Sequence, residues 1–238
     1  MSGHSKWHSI KHQKAAADAK KGAAFTRVSR NITIAAREGG GDPETNAKLR
    51  LAVDQARAVN MPKDNIARAI QRGTGGGSEA ALQEMTYEGY GPAGVALIIK
   101  TVTDNTNRAV SDLRHVLNKH GGSLGESGSV MWNFELKGVI RATITAANRD
   151  AIELTAIDAG ADDIREEGRT LMVTTDPKNL QKLKTALEAL GLGIEFADIE
   201  YVPKNTVALS EADKQKFETL ADALSELEDV NDFYDNAV

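Results

Sequence analysis

The chain has 238 residues, 41% hydrophobic and 26% charged, an ordinary globular make-up with material for two or three modest domains. It contains no cysteine, which excludes disulfides, thiolate metal sites and thiol nucleophiles. The formal net charge of −5 hides a division: residues 1–75 carry 14 Lys and Arg against 6 Asp and Glu, net +8, and the remainder carries 15 against 28, net −13. Such asymmetry predicts a basic module that meets a polyanion and an acidic body that does not; a merely solvated basic surface is the plainer alternative. No apolar run approaches ~18 residues, and the N-terminus lacks the apolar centre of a signal peptide. A cytoplasmic protein with no membrane partner is expected.

In chain order, Phe25, Val28, Ile32 and Ala35 recur at helical spacing until Gly39, Gly40 and Gly41 break the pattern. Asp42 followed by Pro43 predicts the start of a second helix with the stripe Leu49, Ala52, Val53, Ala56 and Val59. Pro62 opens a third, which uses Ile66 and Ile70 before Gly73. The outward faces of this small bundle hold Arg27, Arg30, Lys48, Arg50, Arg57, Arg68 and Arg72. GTGGGS, residues 73–78, reads as a flexible linker, since it lacks the GKS or GKT ending of a phosphate-cradling loop and follows no strand.

Beyond it, strands are expected near residues 85–90 and over 95–103, then a helix capped by Asn105 or Asn107 and ended by Gly121 and Gly122, then a strand over 129–136. From 139 to 201 the order is strand, helix, strand, strand, helix, strand, that of a ferredoxin-like unit. After Pro203 come a strand-like TVAL, a helix opened by the capping box from Ser210 to Asp213, and a last strand near Phe233 and Tyr234. A lone helix and strand bury no core by themselves, so they are expected to complete the earlier sheet. The expected fold is α+β: a basic helical domain over 1–77, a discontinuous α/β domain over 78–137 plus 204–238, and a ferredoxin-like α/β domain inserted over 138–203.

Catalytic alternatives fail on inventory. His115 and His120 lie five apart around a helix end, off a common face, and no HExxH or Ser/His/Asp pattern with its local context is present. Carboxylates such as Asp104 and Glu126 flank loops, with nothing to show that two converge. A non-enzyme without cofactor is expected.

His4, His8 and His12 stand at i, i+4 and i+8, the spacing of one helix face. A metal there would face Lys6, Lys11 and Lys14, with no carboxylate before Asp18, so no metal site is expected. An arm of Lys, Ser, His and one Trp suits nucleic acid instead: ammonium groups pair with phosphates, and the Trp7 indole stacks on an unpaired base or docks onto the bundle as an apolar anchor. Lys6, Lys11, Lys14, Lys20, Lys21, Arg27 and Arg30 oppose Asp18 alone within thirty residues. If about five of them met duplex phosphates, log affinity would fall against log salt with a slope of roughly −4 to −5.

Several stretches together, GHSKW at 3–7, IKHQKAAADAKKG at 10–22, FTR at 25–27, GGGDP at 39–43, YEGYGPAG at 87–94, TDNTNR at 103–108 and GGSLGESGSV at 121–130, resemble the YebC family across essentially the whole chain. The resemblance implies a helical N-terminal domain and two α/β domains, one inserted in the other. It also implies a non-catalytic nucleic-acid binder, described for many members as a DNA-binding transcriptional regulator. Others are described as ribosome-associated translation factors that bind ribosomal RNA and help elongation through stretches such as consecutive prolines. By position, His4, Lys6, Trp7, Lys11, His12 and Lys14 match the family's basic opening, whereas His8 falls at a place resembling a variable one. Asn105, Asn107 and Arg108, with Asp104, match a second motif, a second binding patch or else a turn and helix cap. The partners expected are DNA or ribosomal RNA, with the ribosome as a further one, and the chain is expected to act as a monomer.

Overall fold

The computed structural model describes residues 18–75, 82–144 and 149–238. Three helices come first: α1, Asp18–Gly39; α2, Ala47–Ala58; and α3, Lys63–Gly73. Their helically spaced apolar residues meet in one core of Val28, Ile32, Ala35, Leu49, Val53, Ala56, Ile66 and Ala69. Each large aliphatic side chain buried there contributes roughly 1.5–3 kcal/mol. Gly73 permits the crossing of α1 and α3, because a Cβ on it would stand 2.3 Å from the Thr33 carbonyl oxygen. At the same crossing the Thr33 hydroxyl lies between the Ser29 and Ala69 carbonyls, at 3.0 and 3.1 Å.

The start of α2 differs from expectation. Asp42 and Pro43 belong to a turn in which the Asp42 carbonyl accepts from the Asn46 N–H (3.0 Å) and its carboxylate from the Glu44 N–H (3.0 Å). The helix opens after Asn46, whose side-chain oxygen accepts the Leu49 N–H (3.0 Å) while its amide donates to the Ala35 and Gly40 carbonyls (2.7 and 2.9 Å). One buried side chain thus closes α1 and opens α2. Asn46→Ala is expected to cost about 2 kcal/mol, the upper end for a lost cap, measured as a drop in the urea midpoint.

The chain then builds a four-stranded antiparallel sheet of β1 (Gln83–Tyr90), β2 (Ala96–Thr103), β3 (Ser123–Leu124) and β8 (Val230–Asp235), in the order β3-β1-β2-β8. Helices α4 (Thr106–Lys119) and α7 (Glu211–Glu226) pack on one face, burying Leu97, Ile99, Leu113, Leu117, Phe217, Leu220, Leu224 and Phe233. The late strand β8 pairs with β2, Phe233 opposite Ile99. TVAL forms no strand of its own and contributes a single bridge, Val207 to Ala237.

Inserted in this unit are β4 (Phe134–Thr143), α5 (Arg149–Ala159), β5 (Ala161–Glu167), β6 (Thr170–Thr175), α6 (Leu180–Ala189) and β7 (Gly193–Pro203). The antiparallel order β5-β6-β4-β7 is the ferredoxin-like one. The strand expected over 129–136 forms only from Phe134 on: Met131–Asn133 is one turn of 3₁₀ helix, and β4 runs unbroken from Phe134 through residues 137 and 138. The Val130 and Met131 N–H groups are already given to the Glu88 carboxylate, which leaves them nothing for a ladder.

Contacts group the chain into two compact units, one ending at Asn133 and resuming over Asn205–Val238, the other Phe134–Lys204. Where the first unit is interrupted, Asn205 donates its N–H and its side-chain amide to the Asn133 side-chain oxygen (both 3.0 Å). The Asn133 amide answers to the Asn205 carbonyl (2.9 Å).

Candidate nucleic-acid interface

His4, Lys6, Trp7, Lys11, His12 and Lys14 lie outside the described residues, as does His8, and the second half of the expected linker, residues 76–78, falls there too. Lys20 and Lys21 stand on the first turn of α1. Arg27 is half-buried, its Nε without a hydrogen-bond partner among the described residues. Arg30 is committed within its own unit: its guanidinium donates to the Glu228 carbonyl (2.5 Å) and carboxylate (2.8 Å), which straps α1 to the turn before β8.

The other cations of the bundle divide by the charge of their partners. Lys48 bridges Glu38 (2.9 Å) and Glu84 (3.0 Å); burial works against its charge, but hydrogen bonds to the two carboxylates prevail and raise its pKa. Arg57 pairs with Asp54 at 3.3 Å. Arg50 donates to the Pro43 and Glu44 carbonyls, and Arg68 to the Asn65 side chain and the Asp64 carbonyl, so these contacts orient the guanidinium without cancelling its charge. Arg72 reaches the Ser29 hydroxyl across the α1–α3 crossing at 3.4 Å.

Helix α3 buries Ile66, Ala69 and Gly73 and leaves Lys63, Arg68, Gln71 and Arg72 exposed. Only residues 59–62 join it to α2, with Asn60 in the left-handed region at φ 59° and the Met61 N–H bonded to the Ala56 carbonyl at 2.8 Å. A short turn thus joins the two helices, and the second turns Arg68 and Gln71 outward.

The second patch divides. Asn105 caps α4, its side chain accepting the Arg108 N–H at 3.1 Å. The Arg108 guanidinium grips both oxygens of the buried Asp229 carboxylate (3.0 Å each) and one oxygen of Asp104 (2.9 Å). Asn107 is exposed on the first turn. These residues share the junction of β2, α4 and β8, where the exposed arginine is balanced by two carboxylates.

Sequence reasoning assigned no role to Glu88 and Trp132. Glu88, 7% exposed, accepts the N–H groups of Gly128 (2.6 Å), Val130 (2.7 Å) and Met131 (2.8 Å). Burial pushes its pKa up, but the three donors outweigh burial and hold it below the usual carboxylate range. The loop so anchored displays Trp132, 67% exposed. Among the described residues no group of three His, Cys, Asp or Glu is placed to hold a metal ion, and no helix is long and apolar enough to cross a membrane.

Two family models cover nearly the whole chain: the TACO1/YebC protein N-terminal domain over residues 5–76, and the TACO1/YebC second and third domain over 82–237. The chain belongs to the TACO1/YebC family. Among curated relatives it is 50% identical over 237 residues to a protein of Pseudothermotoga lettingae, covering 99% of this chain and 93% of the relative. It is 48% identical to one of Caldanaerobacter subterraneus, covering 99% and 98%. Both carry the name probable transcriptional regulatory protein. A crystal structure of a conserved hypothetical protein from Aquifex aeolicus, 42% identical, superposes with a TM-score of 0.89 over 98% of this chain and 97% of that one. The α+β architecture with its N-terminal helices is thus shared along nearly the full length of that protein.

Proposed function

We propose that this chain is a non-enzymatic, cytoplasmic regulator of gene expression, as its relatives' name suggests, and that it acts by binding DNA through its first domain. The observation that carries the reading is the net +8 of residues 1–75 against −13 for the remainder. A polyanion is drawn to the first region in preference to the second, so the charge sets orientation before any specific contact forms. Lysines of the arm take phosphates. Arg68 and Gln71 on α3 have the chemistry of base-edge readers: Arg for guanine O6 and N7, Gln for adenine N6 and N7.

The two kinds of contact respond differently. Lys11→Glu with Lys14→Glu is expected to weaken binding on every sequence and to reduce the salt slope by about 2. Arg68→Ala or Gln71→Ala is expected to relax sequence preference, each removing about 1–3 kcal/mol of discrimination. Binding by the charge-reversed arm equal to that of the unaltered chain would remove the arm from the interface.

A second reading, a ribosome-bound factor on ribosomal RNA, is favoured by Trp7 among lysines, which suits a partly unstacked strand better than a groove. Promoter duplexes, structured ribosomal RNA and whole ribosomes compared at one fixed salt separate the two. Tight duplex binding without ribosome association supports the transcriptional reading, and the reverse supports translation.

A further inference from the structure

Trp132 and Tyr90 are hydrogen-bonded to a single acceptor: the indole N–H and the phenol O–H both donate to the Ser129 carbonyl at 3.0 Å. Their polar atoms therefore stand within about 6 Å of each other. Tyr90 is 37% exposed at the end of β1, and Trp132 is 67% exposed on the loop that follows β3. Three features show that this display is fixed rather than incidental. The carboxylate of Glu88 holds the loop through three N–H groups on either side of Ser129. The Gly125 N–H is tied to the Glu88 carbonyl at 2.8 Å. The Asn133 side chain, directly after the indole, is locked to Asn205. A large aromatic surface kept in water on a loop secured at both ends loses little entropy when it is covered.

The chemistry of the partner follows from what the pair leaves unused. A tryptophan that anchors a protein–protein contact generally enters a pocket with its N–H available to the partner. Here both donors are taken by the Ser129 carbonyl, and what the exposed pair chiefly offers a partner is aromatic surface, which binds by stacking and is indifferent to hydrogen-bond pattern. We infer that Trp132, supported by Tyr90, is a stacking platform for an unpaired nucleobase, a second nucleic-acid contact separate from the basic bundle. This rests on the nucleic-acid reading above and extends it: the bundle and arm take phosphates, and the platform takes a base from a strand that is single or locally opened.

The test uses the full chain and the fact that it has two tryptophans, Trp7 and Trp132. In Trp7→Phe the emission reports Trp132 alone. Titration with an oligouridylate or oligodeoxythymidylate of about 12 nucleotides, within ordinary single-strand site sizes, is expected to quench it, and a blunt duplex of equal length is expected to quench it far less. Trp132→Ala is expected to weaken single-strand binding about 10-fold, Trp132→Phe less than 3-fold, with duplex affinity unchanged for both. The exposure of the ring makes both variants compatible with the fold, to be verified by circular dichroism. Single strands that bind with the salt dependence of the arm, yet leave Trp132 emission unaltered, would overturn the platform and spare the proposed function. Absence of binding to any nucleic acid would overturn both. Quenching by a purified ribosomal protein, with none by oligonucleotides, would make the pair a protein-docking site.

Discussion

Glu88→Ala is expected to destabilise the first unit by about 2–4 kcal/mol, the cost of leaving the donors of Val130 and Met131 unsatisfied inside the protein, with Gly128 nearer to water. Glu88→Gln, which keeps one oxygen acceptor but no charge, should fall between the two. Urea unfolding measures both. The pH dependence follows from the direction of the shift. The folded pKa is depressed, so the charged form's contribution is complete above the unfolded glutamate value of about 4.3 and is lost as the pH falls through the folded value. In the Trp7→Phe background, Trp132 emission should therefore change on acidification below about pH 4, and the part of that change due to Glu88 should vanish in Glu88→Gln. An Ala variant as stable as the original chain would mean that solvent replaces the carboxylate at all three donors.

The elements set by their own spacing were legible in the sequence. Val28 and Ile32, or Leu49, Val53 and Ala56, lie on one helix face whatever surrounds them, and each is buried as the period requires. The departures occur where a distant group competes. Asp42 and Asn46 are both good caps by local chemistry; Asn46 prevails because its amide also reaches Ala35, eleven residues earlier. Residues 129–136 have the apolar alternation of a strand, but Glu88, some forty residues earlier, removes two of the N–H groups a ladder would use.

The same reasoning applies to charge. Arg30 and Arg108 look from the sequence like members of basic patches, yet their guanidinium groups are held by Glu228 and Asp229, 198 and 121 residues away. Nothing local marks those carboxylates as partners: the pairing of β8 with β2 brings Asp229 to Arg108, and Glu228 beside it meets Arg30 from α1. Arg68 shows the opposite case: its contacts lie within its own helix turn and go to neutral oxygens, so the cation read from sequence remains a cation in the fold. Trp132 was unreadable for a further reason. A tryptophan between Met131 and Phe134 resembles core, and its exposure follows from a loop geometry imposed by Glu88.

Arg141→Met is expected to cost the inserted unit about 3–5 kcal/mol, the penalty for removing the cation that balances the buried Glu200 carboxylate. Arg141 on β4 and Glu200 on β7 keep side chains only 9% and 7% exposed and meet at 2.8 Å, and the guanidinium also lies 4.6 Å from the centroid of the Phe196 ring. Glu200→Leu should cost a similar amount by stranding the cation, and stacking on Phe196 does not replace a counter-charge. The double variant is the decisive one. If the pair specifies geometry rather than adding net stability, replacing both by apolar groups of comparable volume should recover most of the loss, giving a coupling of several kcal/mol in the cycle. Hydrogen exchange at the amides of β4, β6 and β7 is the appropriate measurement, since it reports this unit without the rest of the chain. High salt should leave the coupling unchanged while weakening exposed pairs such as Arg57 with Asp54. A double variant no more stable than either single one would show instead that the ion pair, with its ring contact, is a net source of stability for the sheet.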